Sequence, residues 1–407
     1  MQRVTELDGL RAVAILAVFL CHFVGPNHAM GPLGLGWTGV DLFFVISGFL
    51  ITSILLGLRT QESPYRTFYW RRILRIAPPY YAVLTITLLL SVAHHEHVST
   101  KDLVRYGLFL SSAEPNVVKM VFVRLLTGSH MVAPVVPFAT VRYVVPGFEW
   151  TSIYWTLSVE ELFYLLWAPV MLKGTRQTIL LFCVTPLLVC PILRGLAHSP
   201  FIGEYFGFVF RFDSLAAGGC VALLFIAVKE GRLTAGVLNR GLLVTATVSL
   251  LGLLLLLWYC DVTRVDDVRS ALTFGMFGYS LLAIFFAAVV GICVQHSGRS
   301  FLLLRALRSG VAVRLGTVSY MMYLTHMTIY ALVEIALFRF LGPSKGLEML
   351  GTGPWPLLVR GSLATVLTIA VASLSWKYFE SPILRLKDKR FPDLARRKQK
   401  NAIPQAA

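Results

Sequence analysis

Acidic residues are scarce in this sequence. Only 21 Asp and Glu stand against 37 Lys and Arg in 407 residues, and charged residues of both signs make up 14% of the chain. A soluble domain carries roughly a quarter of its residues charged, so a water-facing surface over the whole chain is excluded. Cysteine is also sparse. Cys21, Cys183, Cys190, Cys220, Cys260 and Cys293 fall singly in apolar stretches. No two have ligand-pair spacing and no disulfide framework can be drawn, so they read as packing residues and no metal site is expected. There is no repeat of fixed period and no low-complexity tract, which sets aside solenoids and disordered tails as the main architecture. A small-x-small cleavage pattern does not follow the first apolar stretch, which is therefore expected to stay as a spanning helix.

What is abundant is apolar length. The chain is 56% hydrophobic, with a mean hydropathy of +0.71. A spanning helix needs roughly 20 apolar residues. Ten such stretches are expected, at about 8–25, 37–57, 78–92, 152–172, 178–194, 207–228, 241–260, 272–294, 317–340 and 357–376. The fold class that follows is an all-α polytopic membrane protein, a bundle of about ten transmembrane helices. The segment 93–151 reads as extracytoplasmic, with re-entrant or interfacial pieces at 103–112 and 117–126.

The net charge of +16 does not call for nucleic acid. Arg59, Arg66, Arg71, Arg72 and Arg75 precede the third span, and Arg299, Arg305, Arg308 and Arg314 precede the ninth. Segments on the other side hold few cations. That bias places both termini in the cytoplasm, with anionic membrane lipid as the partner of the basic face. Residues 1–376 form the membrane domain on this reading, and 377–407 a basic cytoplasmic tail.

Ionisable residues inside spans cost about 2.5–3.5 kcal/mol each on insertion scales and are functional candidates. They are Asp8, Arg11, His22, Asp41, Glu160, Glu161, Arg211, Asp213, His326 and Glu334. Arg11 and His22 lie eleven residues apart. They return to within about 20° of one helical face, about 16 Å apart along the axis. A cation at one end and an imidazole at the other suit an elongated anionic ligand whose reactive end meets the histidine. A snorkelling arginine and a helix-bridging histidine are the competing reading. Asp41, Glu160, Arg211 and Asp213 fall at a depth similar to His22, as an acid–base centre or an ion-pair network would. Arg72 and Arg75 share a helical face, and guanidinium forks suit phosphates. Gly48, in mid-span, marks a close backbone approach by a helix or a ligand.

Seven motifs then occur in order: LDGLRAVAILAVFLCH, GVDLFFVISGFLI, RRILRIAPPY, WTLSVEELFY, RFDSLAAG, VSYMMYLTH and YFESP. Together they resemble the membrane acyltransferase-3 family of O-antigen and exopolysaccharide O-acetyltransferases, from the first residues to the end of the tenth span. The resemblance implies a bacterial cytoplasmic-membrane enzyme with no bound cofactor. It would move an acyl group, usually acetyl, from acyl-CoA to a hydroxyl of a carbohydrate, a lipid-linked glycan or a glycosylated metabolite. It implies His22 and Glu160 as catalytic residues, with Glu160 orienting the imidazole. Arg11, Arg72, Arg75, Ser47, Gly48 and Phe49 would contact acyl-CoA. Asp41, Arg211, Asp213, Tyr320, Tyr323 and His326 would form a supporting polar network. Leu162 stands where the family usually has glutamine after the paired glutamates. An appended esterase-like domain is not expected, so a partner handling the acyl group would be a separate chain. A glycan or lipid transporter, coupled to protons through the same histidine, is the competing class.

Overall fold

The structure, a computed structural model, describes residues 3–23, 35–93, 99–112, 153–197, 207–260, 273–351 and 353–390. All regular structure among these residues is helical. Ten helices match the ten predicted spans. They are α1 (Thr5–Phe23), α2 (Thr38–Leu58), α3 (Pro64–Ala93), α5 (Trp155–Lys173), α6 (Arg176–Ala197), α7 (Phe212–Lys229), α8 (Ala235–Cys260), α9 (Tyr279–Gln295), α11 (Gly310–Met349) and α12 (Pro354–Ser375). The short α4 (Thr100–Gly107), α10 (Leu302–Leu307) and α13 (Ser381–Arg390) complete the described set. Eight of the helices are long and apolar enough to cross a membrane. The other two predicted spans, α1 and α5, have 19 residues each, about 28 Å at helical rise. What sets them apart is charge: α1 carries Glu6, Asp8 and Arg11, and α5 carries Glu160, Glu161 and Lys173.

Several boundaries differ from the sequence reading. The arginine pair was expected in a loop before a short third span, but α3 runs unbroken for 30 residues from Pro64 and includes it. Pro78 and Pro79 lie inside that helix. Their missing N–H groups free carbonyls one turn back, and the Tyr320 hydroxyl donates to the neighbouring Ile76 carbonyl at 3.0 Å. Gly342 breaks α11 at φ 76°, a left-handed conformation that glycine adopts without steric cost. The boundary at 376 is not a structural break, since a π-helical turn, Trp376–Glu380, leads from α12 into α13. Of the segment 93–151, only α4 and its surroundings are described. Tyr80 and Tyr81 hold the end of α4 through its carbonyls at Tyr106 and Gly107, at 2.8 and 2.7 Å. The piece predicted at 117–126 lies outside the described residues.

Glycine fixes the helix crossings around α1 and α2. A Cβ on Gly48 would sit 1.8 Å from the Leu215 carbonyl oxygen, and one on Gly218 would sit 2.0 Å from that of Val45. α2 and α7 therefore touch backbone to backbone, the arrangement small residues permit in a membrane, where close van der Waals packing drives helix association. A Cβ on Gly316 would lie 1.7 Å from the Asp8 carbonyl oxygen, so α11 meets α1 in the same manner. α1 is thus held between α2 and α11, with Arg11 lining the cavity that α3 and α5 share.

Candidate active site

A cavity of about 100 Å³ opens between α1, α2, α3, α5 and α11. Its lining includes Arg11, Arg72 and Arg75. Asp8 steadies Arg11 at 3.2 Å through one carboxylate oxygen and takes Arg3 at 2.8 Å on the other. Arg72 lies 5.1 Å over the Tyr164 ring and 5.9 Å over Phe68, so its guanidinium plane is fixed by cation–π contact. Glu160 is the single carboxylate among the lining residues. Three guanidinium groups against one carboxylate leave the cavity with a surplus of positive charge, an anion site by composition. Glu160 is already occupied. Ser47 Oγ donates to Oε1 at 2.6 Å and the Tyr164 hydroxyl to Oε2 at 3.1 Å.

Phe43, Thr156, Tyr320 and Tyr323 also line the cavity. The Tyr323 hydroxyl donates to the Ile153 carbonyl at 2.9 Å and accepts from Thr156 at 3.0 Å. Its backbone carbonyl faces the other way and receives His326 Nδ1 at 2.7 Å. His326 is fully buried, and its Nε2 lies 2.7 Å from His22 Nδ1.

This chain of contacts assigns the tautomers. A carbonyl only accepts, so His326 Nδ1 carries the hydrogen. In the neutral ring Nε2 is then the acceptor, and His22 Nδ1 must be the donor. The lone pair of His22 is left on Nε2, the nitrogen a base or nucleophile uses. The ring planes differ by 1° and the centroids are 5.0 Å apart. The 2.7 Å N···N contact spans over half of that separation, so the two imidazoles meet edge to edge in one plane. That is the in-plane alignment a strong hydrogen bond requires.

The expected site residues separate into three groups. Arg11, Arg72, Arg75, Ser47, Glu160, Tyr320 and Tyr323 line one cavity. His22 and His326 pair directly behind Tyr323, whose ring centroid is 5.5 Å from that of His326. Asp41, Arg211 and Asp213 lie apart from the cavity, each fully buried. Arg211 bonds Asp41 at 2.6 Å, Ser214 bonds the same oxygen at 2.9 Å, and Asp213 takes Arg194 at 2.9 Å and Ser280 at 2.6 Å. Arg211 also lies 4.4 Å over the Tyr279 ring. Two arginines and two aspartates thus neutralise each other between α2, α6 and α7.

Two expectations need correction. Ser47, Gly48 and Phe49 do not act together, because successive helical residues point about 100° apart. Ser47 faces the cavity, whereas Gly48 abuts Leu215 and Phe49 is buried against Phe225. Glu160 makes no direct hydrogen bond to His22. It bonds Ser47 and Tyr164, and His22 Nδ1 meets His326 Nε2. The sequence reading also missed Arg194, Arg360 and Tyr164. Arg194 and Arg360 stand at span ends, where an arginine reads as interfacial. Tyr164 sits one turn after Glu160, an i, i+4 spacing that could have flagged it.

A family model for an acyltransferase domain, that of the acyltransferase-3 family, matches residues 4–377. The chain belongs to the acyltransferase-3 family. Among curated proteins, this acyltransferase-3 chain is similar to the peptidoglycan O-acetyltransferase OatA of Listeria monocytogenes, at 26% identity over 93% of the chain and 56% of the relative. It is similar to the putative peptidoglycan O-acetyltransferase YrhL of Bacillus subtilis, at 28% identity over 93% of the chain and 54% of the relative. A putative O-acetyltransferase of Staphylococcus aureus is 25% identical over 94% of the chain and 57% of its own length. The chain therefore spans just over half the length of these relatives. No solved structure matches it.

Proposed function

We propose that this multi-pass membrane protein transfers an acetyl group from acetyl-CoA to a carbohydrate hydroxyl, glycan or lipid-linked, in a bacterial cytoplasmic membrane. Acyl-CoA enters from the cytoplasm, the side to which the basic segments and both termini are assigned. Arg11, Arg72 and Arg75 bind its phosphates, and the pantetheine arm runs along α1 toward His22. His22 Nε2 takes the proton of the acceptor hydroxyl as its oxygen attacks the thioester carbonyl. The C–S bond breaks, and the imidazolium returns the proton to the departing CoA thiolate. His326 accepts the His22 Nδ1–H, and Tyr323 fixes His326 through its carbonyl. The pair thus fills the orienting place that a carboxylate has in hydrolase triads. Glu160 fixes Ser47 and Tyr164 in the wall of the donor cavity.

The observation that carries this reading is the hydrogen-bonded line Tyr323–His326–His22 on α11 and α1, beside an arginine-lined cavity to which both helices contribute. It also favours an enzyme over a proton-coupled carrier. A carrier needs acids that exchange partners, yet Asp41 and Asp213 are each held by an arginine in a fully buried pair. The test is donor binding followed by turnover. Acetyl-CoA is expected to raise the melting temperature of the purified protein, and added glycan to drive CoA release. Unchanged melting, or glycan movement across vesicles without thioester consumption, would support the carrier instead.

A further inference from the structure

The stretch 296–309 joins two spans, α9 and α11, and packs against the first turn of α1. Glu6, fully buried in that turn, accepts from Ser297 Oγ and from the Gly298 N–H, both at 2.9 Å. Arg308 Nε approaches the same carboxylate at 3.6 Å. Gly298 has φ 84°, a turn that a side chain would strain. α10 then meets α1 backbone to backbone, since a Cβ on Gly9 would sit 2.2 Å from the Leu307 carbonyl oxygen. Leu304 and Leu307 are its inward face, each 5% exposed.

The outward face suits neither water nor hydrocarbon. Phe301, Leu302, Leu303 and Val311 are 57, 84, 70 and 71% exposed. Arg299, Arg305 and Arg314 alternate with them along the chain and are exposed too. No carboxylate pairs with these three side chains among the described residues. Leu302 with Arg305, and Val311 with Arg314, are i, i+3 pairs that put an apolar group and a guanidinium on one helical face. Water would leave the apolar groups solvated, and hydrocarbon would strip the arginines of their hydration. The headgroup layer accommodates both, with apolar side chains at the acyl boundary and guanidinium groups among the phosphates.

We infer that residues 299–314 form a binding site for anionic phospholipid, and that the leaflet bound there braces the end of α1 that carries Arg11. The lipid site stands apart from the proposed reaction, whereas the brace rests on the donor reading of Arg11. Three unpaired guanidinium groups select a headgroup of net negative charge, because a zwitterionic headgroup brings its own cation to the same place. The brace follows from the contacts. Gly298 and α10 hold the first turn of α1, and Asp8 of that turn bonds Arg11 at 3.2 Å.

The experiment uses the full chain in lipid vesicles, with Leu302→Cys carrying a fluorophore. The native cysteines are buried except Cys220, which is half-buried, and its labelling is read on the chain without Leu302→Cys. Quenching is measured with spin-labelled phosphatidylglycerol and with spin-labelled phosphatidylcholine. The mole fraction for half-maximal quenching is expected to be lower for phosphatidylglycerol by about fivefold for each arginine that faces the lipid. Adding Arg305→Gln and Arg314→Gln is expected to leave a preference of at most about fivefold. Equal quenching by the two lipids overturns the site, as does a preference that survives both substitutions undiminished. Quenching by neither lipid overturns it in favour of a protein cover. For the brace, Leu302→Ser/Leu303→Ser keeps every charge and is expected to raise the dissociation constant for acetyl-CoA severalfold in phosphatidylglycerol bilayers. An unchanged constant overturns the brace. Wild-type protein that binds no acetyl-CoA would defeat the donor reading of Arg11 and the brace with it, while the quenching still decides the lipid site.

Discussion

Replacing His326 tests the imidazole pair from its buried side. His326→Leu removes the acceptor for His22 Nδ1–H and leaves that donor without the 2.7 Å contact. Two losses follow. A hydrogen bond to a group that becomes charged contributes about 1.5–3 kcal/mol, or roughly 10- to 150-fold in rate at 1.36 kcal/mol per decade. The hydrogen of His22 is also no longer pinned to Nδ1, so the ring can place it on Nε2 and lose its reactive lone pair. In a hydrolase triad the wrong tautomer alone is worth about 10⁴-fold. Turnover of His326→Leu should therefore fall about 10²- to 10⁴-fold. His326→Gln is the informative control, because its side-chain carbonyl can reach toward the Nε2 position and accept from His22. It should recover part of the loss, to within about 10- to 100-fold of wild type. The assay is CoA release under saturating acetyl-CoA and glycan, with the melting temperature measured in parallel. A folded His326→Leu variant turning over within threefold of wild type would refute the assignment of His326 as the positioning residue.

Other consequences follow from separate parts of the molecule. Arg72→Ala and Arg75→Ala should each weaken acetyl-CoA binding by about 10- to 100-fold with a smaller change in turnover at saturation. Calorimetry with acetyl-CoA and CoA reads this directly, and unchanged affinity would remove the arginines from the donor site. Gly48→Ala places a Cβ 1.8 Å from the Leu215 carbonyl oxygen. It should destabilise the fold by about 1–3 kcal/mol or more, seen as a lower melting temperature whether or not donor is present. Asp213→Asn leaves Arg194 buried without its counter-ion and should cost about 3–5 kcal/mol. The double variant Arg194→Leu/Asp213→Leu should be less damaging in the same melt, and equal damage would contradict a self-neutralising pair.

The fold was legible because apolar length in a bilayer is nearly decisive: all ten predicted stretches are helices. What failed was the ends. The start of α3 at Pro64 was hidden by its four closely spaced arginines, which read as an inner loop although an amphipathic extension tolerates them. The continuation of α12 through Glu380 was hidden by a polar tail composition. At the site, Arg72 and Arg75, read as a same-face pair, both line the cavity with Arg11, whereas His22 lies outside that lining against His326. Helical periodicity could not say which helices face one another. For that reason Glu160 was assigned to His22, although it bonds Ser47 of α2 and Tyr164 of α5 while α11 supplies His326. Depth alone grouped Asp41 and Asp213 with the histidine. The structure pairs them instead with Arg211 and Arg194, the latter at a span end that composition read as interface.

The central claim is that His22 performs the transfer while the arginine cavity holds the donor. The most direct measurement uses the protein reconstituted with isotopically labelled acetyl-CoA and an envelope glycan pool, with wild type compared against His22→Ala by mass spectrometry of the glycans. The expected result is label on the glycan with wild type, and none with His22→Ala even though that variant binds acetyl-CoA with unchanged affinity. Labelled glycan at the wild-type rate from His22→Ala would contradict it.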